Sequence, residues 1–181
     1  MADQKFSTKF IVYGALIASV YIALTMAFAP ISFGPIQFRI SEALTVLPAV
    51  IPSAIPGLFI GCLISNIFGS TLGIIDIVFG SLATLISAYL TYKLRKNRLL
   101  VPLPPVIVNA LVVSTYLIIL IPDISAPQVI INALSFIPKS MIIWFMTVIF
   151  IGIGQICACY GIGLPLLYAI EKSKILKKVK Y

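Results

Sequence analysis

Few residues of this 181-residue sequence are charged, and those that lie within or beside apolar segments are the first candidates for chemistry. The carboxylates of Glu42 and Asp76 can accept hydrogen bonds from a polar ligand, and Arg39 can donate to its oxygen atoms. Ionisable residues at membrane depth are costly and by default indicate a substrate or ion pathway. The candidate ligand-binding residues are Arg39, Glu42, Asn66, Asp76, Lys139 and Trp144.

Other interpretations of the polar and aromatic residues stay open. Arg39 and Glu42 are three residues apart and could be a structural ion pair on one helical face. Asn109 and Gln155 are interpreted as residues that form hydrogen bonds between helices. Several aromatic side chains could either stack on a planar ligand or anchor helices at the membrane interface. These are Phe33, Phe38, Phe136 and Trp144.

The sequence contains no set of residues typical of an enzyme. It has no histidine, no phosphate-binding loop of the Gly-x-x-x-x-Gly-Lys-Ser/Thr type, and no nucleophile with an evident base. Cys62, Cys157 and Cys159 lie in apolar runs and are interpreted as small packing residues rather than metal ligands. We therefore expect a ligand-binding protein that is not an enzyme and needs no metal or cofactor.

The composition indicates the kind of structure that must position these residues. Apolar residues make up 61% of the chain and charged residues only 10%, whereas soluble domains have about 45–50% and about 25%. A membrane-spanning helix needs about 20 apolar residues. The chain is therefore predicted to be an all-α integral membrane protein with a single transmembrane domain over residues 1–181.

Most basic residues lie in three clusters that predict the cytoplasmic side. Because clustered Lys and Arg beside apolar segments mark cytoplasmic ends, these clusters need no acidic partner other than membrane lipid. A nucleic-acid partner is not expected. The clusters are Lys5 and Lys9; Lys93, Arg95, Lys96 and Arg98; and Lys172, Lys174, Lys177, Lys178 and Lys180.

The number of crossings between the first two clusters must be even. The apolar stretch 40–68 would be about 43 Å long as one helix, which is too long for a bilayer core of about 30 Å. Two short helices with a hinge near Pro52 give four crossings before residue 93 and satisfy the charge pattern. Residues 122–140 are too polar to span and are predicted to be an outer loop, containing Asp123, with a short interfacial helix. The predicted result is six transmembrane helices with cytoplasmic N- and C-termini, at about 10–29, 40–51, 54–68, 74–92, 101–121 and 141–170.

The first helix carries a stripe of small residues at every fourth position, Ala15, Ser19, Ala23 and Ala27. Small residues let helices approach closely within lipid, where apolar burial alone does not drive association. The stripe could pack inside the bundle or dock a partner protein.

The sequence also resembles a known family. The run FAPISFGPIQFRISEAL at 28–44 closely resembles the QueT family, the membrane-embedded substrate-binding (S) components of energy-coupling factor (ECF) transporters. Further similar stretches are 55–62, 76–85 and 104–110, so that the resemblance covers essentially the whole chain.

The resemblance implies a six-helix S component in the cell membrane that captures a 7-deazaguanine precursor of queuosine (preQ0 or preQ1) from outside. Its implied partners are a transmembrane coupling subunit, docked through small residues of the first helix, and two ATPase subunits. A self-sufficient secondary transporter or channel for a small polar solute is the competing hypothesis. For the implied ligand, Glu42 would accept hydrogen bonds from the guanine-like ring, and Asp76 would pair with an aminomethyl group. Arg39, Asn66 or Lys139 could donate to the ring carbonyl oxygen.

Overall fold

The computed structural model describes residues 7–34, 38–120, 127–133 and 136–173, and these residues contain helices and turns but no strands. Asp123, Lys5 and the C-terminal lysines from Lys174 onward lie outside the described residues. The α-helices are α1 (Thr8–Ala27), α2 (Ala29–Ser32), α3 (Ala54–Gly69), α4 (Ser81–Lys93), α5 (Leu103–Leu120), α6 (Gln128–Ala133), α7 (Lys139–Ile156) and α8 (Leu164–Lys172). A 3-10 helix occupies Ile40–Ala49, and π-helical segments occupy Asp76–Gly80 and Cys157–Gly163.

Three described helical stretches are long and apolar enough to cross a membrane. They are Thr8–Ala27, Leu103–Leu120 and the continuous stretch Lys139–Lys172, and Ile40–Ala49 and Ala54–Gly69 are shorter apolar helices. Large apolar side chains such as Ile119 and Phe68 are exposed, whereas Glu42 and Asp76 are buried. An apolar surface around a polar interior suits a lipid environment. The six predicted spans, their bounds and their orientation stay predictions.

Close contact between α1 and α3 depends on glycine. A Cβ atom at Gly57 would lie 2.5 Å from the carbonyl oxygen of Gly14, and one at Gly61 would lie 3.1 Å from the carbonyl oxygen of Ala18. Small residues four apart on both helices therefore let the two backbones touch. This contact fixes Tyr21, which lies one turn further along α1 and is fully buried.

The 3-10 helix Ile40–Ala49 is buried on all sides from Ser41 to Ala49. Because a 3-10 helix has three residues per turn, side chains three apart align in rows. One row carries Ser41, Leu44 and Leu47 and packs towards α1 and α3, where Ser41 Oγ lies 2.7 Å from Thr25 Oγ1.

The second row of this helix carries Ala43, Val46 and Ala49 and packs on the C-terminal part of the bundle. Val46 and Ala49 share an apolar cluster with Val101 and Leu167. A Cβ atom at Gly163 would lie only 2.8 Å from the Ala43 carbonyl oxygen. With two rows held by packing, the third row, which contains Glu42 and Thr45, has a fixed direction.

Candidate functional site

Glu42 is the centre of a buried polar cluster formed by the 3-10 helix, α1 and α5. Its side chain is 1% exposed. The Tyr21 hydroxyl donates to Glu42 Oε1 at 2.5 Å, and Asn109 Nδ2 donates to Oε2 at 3.2 Å. Both neighbours donate to the carboxyl oxygens of Glu42. A carboxylate has about four lone-pair sites, so each oxygen keeps one site for a further donor.

Arg39 and Asp76 form the second part of the cluster. Arg39 Nη2 lies 3.9 Å from Asp76 Oδ2. The guanidinium also donates through Nε to the Ser32 carbonyl oxygen at 3.4 Å, and it lies 5.0 Å from the centre of the Phe33 ring. The Tyr116 hydroxyl donates to Asp76 Oδ1. Arg39 therefore pairs across the bundle with Asp76.

Asn66 and the first π-helical segment complete this part of the site. Asn66 Nδ2 donates to the main-chain oxygen of Asp76 at 3.2 Å. A Cβ atom at Gly80 would lie 2.9 Å from Asn66 Nδ2 and 3.1 Å from Asp76 Oδ1, so glycine is needed for this close approach. π-Helical turns occur often at functional sites.

Two acceptors in this region are buried without a hydrogen-bond donor among the described residues. They are Asp76 Oδ2 and Asn66 Oδ1. Leaving a buried polar atom unpaired costs about 1–3 kcal/mol. Such atoms are therefore suited to a ligand that brings donors.

A small cavity lies at the middle of the cluster. Its volume is about 10 Å³, and it is lined by Arg39, Glu42, Gly80, Thr84, Asn109, Val113, Tyr116 and Gln155. Ligand pockets for small molecules are typically about 300–1,000 Å³. An organic ligand can therefore enter only when the walls of this cavity separate.

The structure brings four of the six candidate ligand residues together: Arg39, Glu42, Asn66 and Asp76. The other two lie elsewhere. Lys139 is exposed at the beginning of α7. Trp144 is half-buried, its Nε1 donates to Thr115 Oγ1 at 3.2 Å, and its ring packs edge-on against Phe145. Ligand contact by Lys139 and Trp144 stays a prediction without geometric support here.

Sequence reasoning did not identify the two tyrosines that orient the carboxylates. Tyr21 and Tyr116 lie in apolar helices, where the sequence pattern gives no sign that their hydroxyls reach Glu42 and Asp76. Asn109 does form the interhelical hydrogen bond that was expected of it, and its partner is Glu42.

Cys62 is more than the apolar packing residue expected from the sequence. Its buried Sγ accepts hydrogen bonds from Thr84 Oγ1 at 3.3 Å, Asn66 Nδ2 at 3.6 Å and Arg39 Nη1 at 3.7 Å. The thiol therefore supports the donors of the polar cluster.

The small-residue stripe of α1 lies on the outside of the bundle. Its four residues Ala15, Ser19, Ala23 and Ala27 are all exposed. Internal packing of α1 uses other positions, including Gly14, Ala18 and Tyr21. The Ser19 hydroxyl donates to the Ala15 carbonyl oxygen at 2.9 Å, so the one hydroxyl of the stripe already has a hydrogen-bond partner within the helix. Beside it, α1 and α3 form an apolar groove of about 420 Å³.

Comparison with known proteins gives one family and one curated relative. The family model described as QueT transporter matches residues 11–172. The relative is the "Queuosine precursor transporter QueT" of Lactococcus lactis subsp. cremoris (strain MG1363), which is 40% identical over 85 residues. That match covers 46% of this chain and 49% of the relative, so the chain spans about half the length of the curated relative it matches. No solved structure gives a significant match. The family match extends over most of the sequence, and the chain belongs to the QueT transporter family.

Proposed function

We propose that this chain is the substrate-binding membrane subunit of an ATP-driven ECF-type importer and that it captures a 7-deazaguanine precursor of queuosine from outside the cell. The observation that carries the proposal is the buried carboxylate of Glu42, which has one free acceptor site on each oxygen and faces a small cavity. Membership of the QueT transporter family and the name of the curated relative support the substrate class.

The proposed ring recognition uses the paired donors of a guanine-like base. Its ring N–H and exocyclic amino group are adjacent, and a carboxylate can accept both in a bidentate pair. Tyr21 and Asn109 hold the Glu42 carboxylate from the other side, which fixes its plane before the ligand arrives. Arg39, already at the cavity wall, would donate to the ring carbonyl oxygen.

The proposed topology has six transmembrane helices with both termini in the cytoplasm. Arg98 forms an ion pair with Glu171, and the Tyr160 hydroxyl donates to the Leu99 carbonyl oxygen at 2.9 Å. These contacts join the basic turn after α4 to the C-terminal part of the bundle. They support a location of both on the same side of the membrane. The positive-inside rule makes that side cytoplasmic. Arg39 and Asp76 would then lie towards the outer face.

The proposed docking surface for the coupling subunit is the exposed stripe of α1. Small side chains allow close helix approach in lipid, and the adjoining groove between α1 and α3 adds apolar surface. The same helix carries Tyr21 to Glu42 on its opposite side, so docking and ligand binding share one rigid element.

Reconstitution separates this function from that of a self-sufficient transporter. Vesicles that contain the chain alone should bind the deazaguanine but not accumulate it, and vesicles that also contain a coupling subunit and two ATPases should accumulate it when ATP is present. Accumulation by the chain alone, driven by an ion gradient, would replace the proposal with a secondary transporter. Absence of binding to the purified chain would contradict a queuosine-precursor role.

A further inference from the structure

Gln155 is a further polar residue of the cavity wall. It lies near the end of α7, is 3% exposed, and lines the cavity together with Glu42 and Asn109. Among the described residues, its side chain forms a hydrogen bond with Cys159, whose thiol donates to Gln155 Oε1 at 3.7 Å. Because Cys159 is four residues further along the same helical stretch, this contact lies within one helix and is not the interhelical bond expected from the sequence.

The contact with Cys159 determines which half of the Gln155 amide is available to a ligand. A side-chain amide has one oxygen, which accepts, and one NH2 group, which carries two N–H donors. The oxygen faces the Cys159 thiol, and the hydrogen bonds of the described residues leave both N–H donors of Gln155 unused. A donor that gains no acceptor in a buried site costs free energy. The NH2 group is therefore suited to an acceptor atom of the ligand.

The hydrogen-bonding groups of the cavity follow an order across the bundle. Arg39 is at the side of α3, which its guanidinium contacts. Glu42 Oε1 accepts from Tyr21 on α1, the helix that packs against α3. Glu42 Oε2 accepts from Asn109 on α5, which packs against α7, the helix of Gln155. The order across the cavity is therefore Arg39, Glu42 Oε1, Glu42 Oε2 and Gln155.

A guanine-like ring presents a matching order of groups along one edge. Its carbonyl oxygen, ring N–H, exocyclic amino group and second ring nitrogen (N3) are acceptor, donor, donor and acceptor in turn. In the proposed recognition, Glu42 accepts from the two central donors and Arg39 donates to the carbonyl oxygen at one end. Ring N3, the acceptor at the other end, then comes to the α7 side of the cavity, where Gln155 has a donor.

We infer that Gln155 is a specificity-determining residue whose amide NH2 group donates to ring N3 of the bound deazaguanine. The inference rests on the proposed function, since it assigns one more atom of the same ligand in the same site. Cys159 is a positioning residue, because its thiol holds the amide oxygen of Gln155 and so directs the NH2 group away from itself. A ring with a C–H group in place of N3 leaves the Gln155 donor unpaired.

The first test compares two ligands on the purified full-length wild-type chain by calorimetric titration. The parent compound is 7-aminomethyl- or 7-cyano-7-deazaguanine, whichever binds more tightly, and the C–H compound is the same molecule with a C–H group in place of ring N3. The C–H compound should bind at least fivefold less tightly, which corresponds to about 1 kcal/mol. Equal affinities would overturn the inference and leave the proposed function standing. No binding of either 7-deazaguanine would contradict the proposed function itself.

The variant Gln155→Met assigns the preference for N3 to this residue. Methionine is unbranched like glutamine but has no N–H donor. The variant should bind the parent compound at least fivefold less tightly than the wild type does, and its affinities for the two compounds should agree within about twofold. Binding of the C–H compound at wild-type affinity or better shows that the variant is folded. A preference for N3 as large as that of the wild type would overturn the assignment.

Two more variants complete the experiment. If Gln155→Met binds neither compound, Gln155→Leu also lacks a donor and is subject to the same two outcomes. Thr147→Val is the matched control, because it changes a polar residue of the same helix that is not among those lining the cavity. Its preference for N3 should equal that of the wild type, and loss of the preference in Thr147→Val would show that the effect is not specific to Gln155.

Discussion

Glu42→Gln is the substitution that tests the proposed ring recognition most directly. The change keeps the size of the side chain but replaces one acceptor oxygen by an amino group. In the wild type, Tyr21 occupies one site on Oε1 and Asn109 one site on Oε2, and each oxygen has one site left for the ligand. In the variant, the glutamine oxygen must face the Asn109 donor, and its amino group can face the Tyr21 hydroxyl, which also accepts. The ligand then meets one acceptor and one donor.

The expected loss of ligand affinity follows from the changes at the two side-chain oxygens of Glu42. Replacing a charged acceptor by a neutral one lowers a hydrogen bond from about 1.5–3 to about 0.5–1.5 kcal/mol, and the mismatched donor adds about 1–3 kcal/mol. We expect a total loss of about 3 kcal/mol, or about 150-fold in Kd, in calorimetric titration with the preferred deazaguanine. The thermal midpoint should not fall, because the variant removes a buried charge while every protein hydrogen bond can still form.

The control for this experiment is Glu171→Gln. It makes the same chemical change at a partly exposed glutamate that pairs with Arg98, away from the cavity. Its Kd should equal that of the wild type. A Glu42→Gln protein that is folded and binds within threefold of the wild type would refute the role of Glu42 in ring recognition.

Three further substitutions test the surroundings of the site. Gly80→Ala places a Cβ atom 2.9 Å from Asn66 Nδ2, and we expect at least tenfold weaker ligand binding by calorimetry; an unchanged Kd would contradict a close approach at this point. Gly57→Ala places a Cβ atom 2.5 Å from a carbonyl oxygen of α1, so overpacking should lower stability by about 1–3 kcal/mol in thermal unfolding. Gly161→Ala meets nothing within 4 Å and should not change stability. Ala23→Leu, on the exposed stripe, should leave binding by the isolated chain unchanged but abolish ATP-dependent uptake in the assembled importer; full uptake would show that docking occurs elsewhere.

Three charged residues of the candidate site could be selected from the sequence. Charges are scarce in this chain, and after the basic clusters are assigned to the cytoplasm, Arg39, Glu42 and Asp76 remain. Because a charged side chain at membrane depth costs free energy, such residues indicate a function. The break near Pro52 followed from span length and charge parity, and the chain does turn between the 3-10 helix and α3. Scarcity and parity therefore single out these three charged residues, and their role in ligand binding stays a prediction.

The partners of those charges were not predictable from the sequence. Arg39 and Glu42 are three residues apart, which suggested an ion pair, yet Arg39 pairs with Asp76 while Glu42 is held by Tyr21 and Asn109. The local conformation decides this, because the chain at Glu42 is a 3-10 helix whose packing on two sides directs its third row. Hydropathy patterns do not distinguish a 3-10 from an α-helix over ten apolar residues.

Lys139 and Trp144 were predicted for the site from the sequence, but the structure places them away from the cavity. Both follow the predicted outer loop and were grouped with the site because they fall at the same predicted depth. Depth does not specify the direction around a helix, and Trp144 contacts Thr115 rather than the cavity.

The threefold row structure of Ile40–Ala49 has a consequence for how this segment can vary. Inserting one residue between Ser41 and Leu44 would rotate every later side chain by about 120°. Leu44 and Leu47 would then enter the row of Glu42, and Thr45 would enter an apolar contact. Exchanges between residues of similar volume preserve the arrangement, but a change of length cannot. Among proteins that share this architecture, the number of residues between Glu42 and Gly57 should therefore be far more constant than their identities.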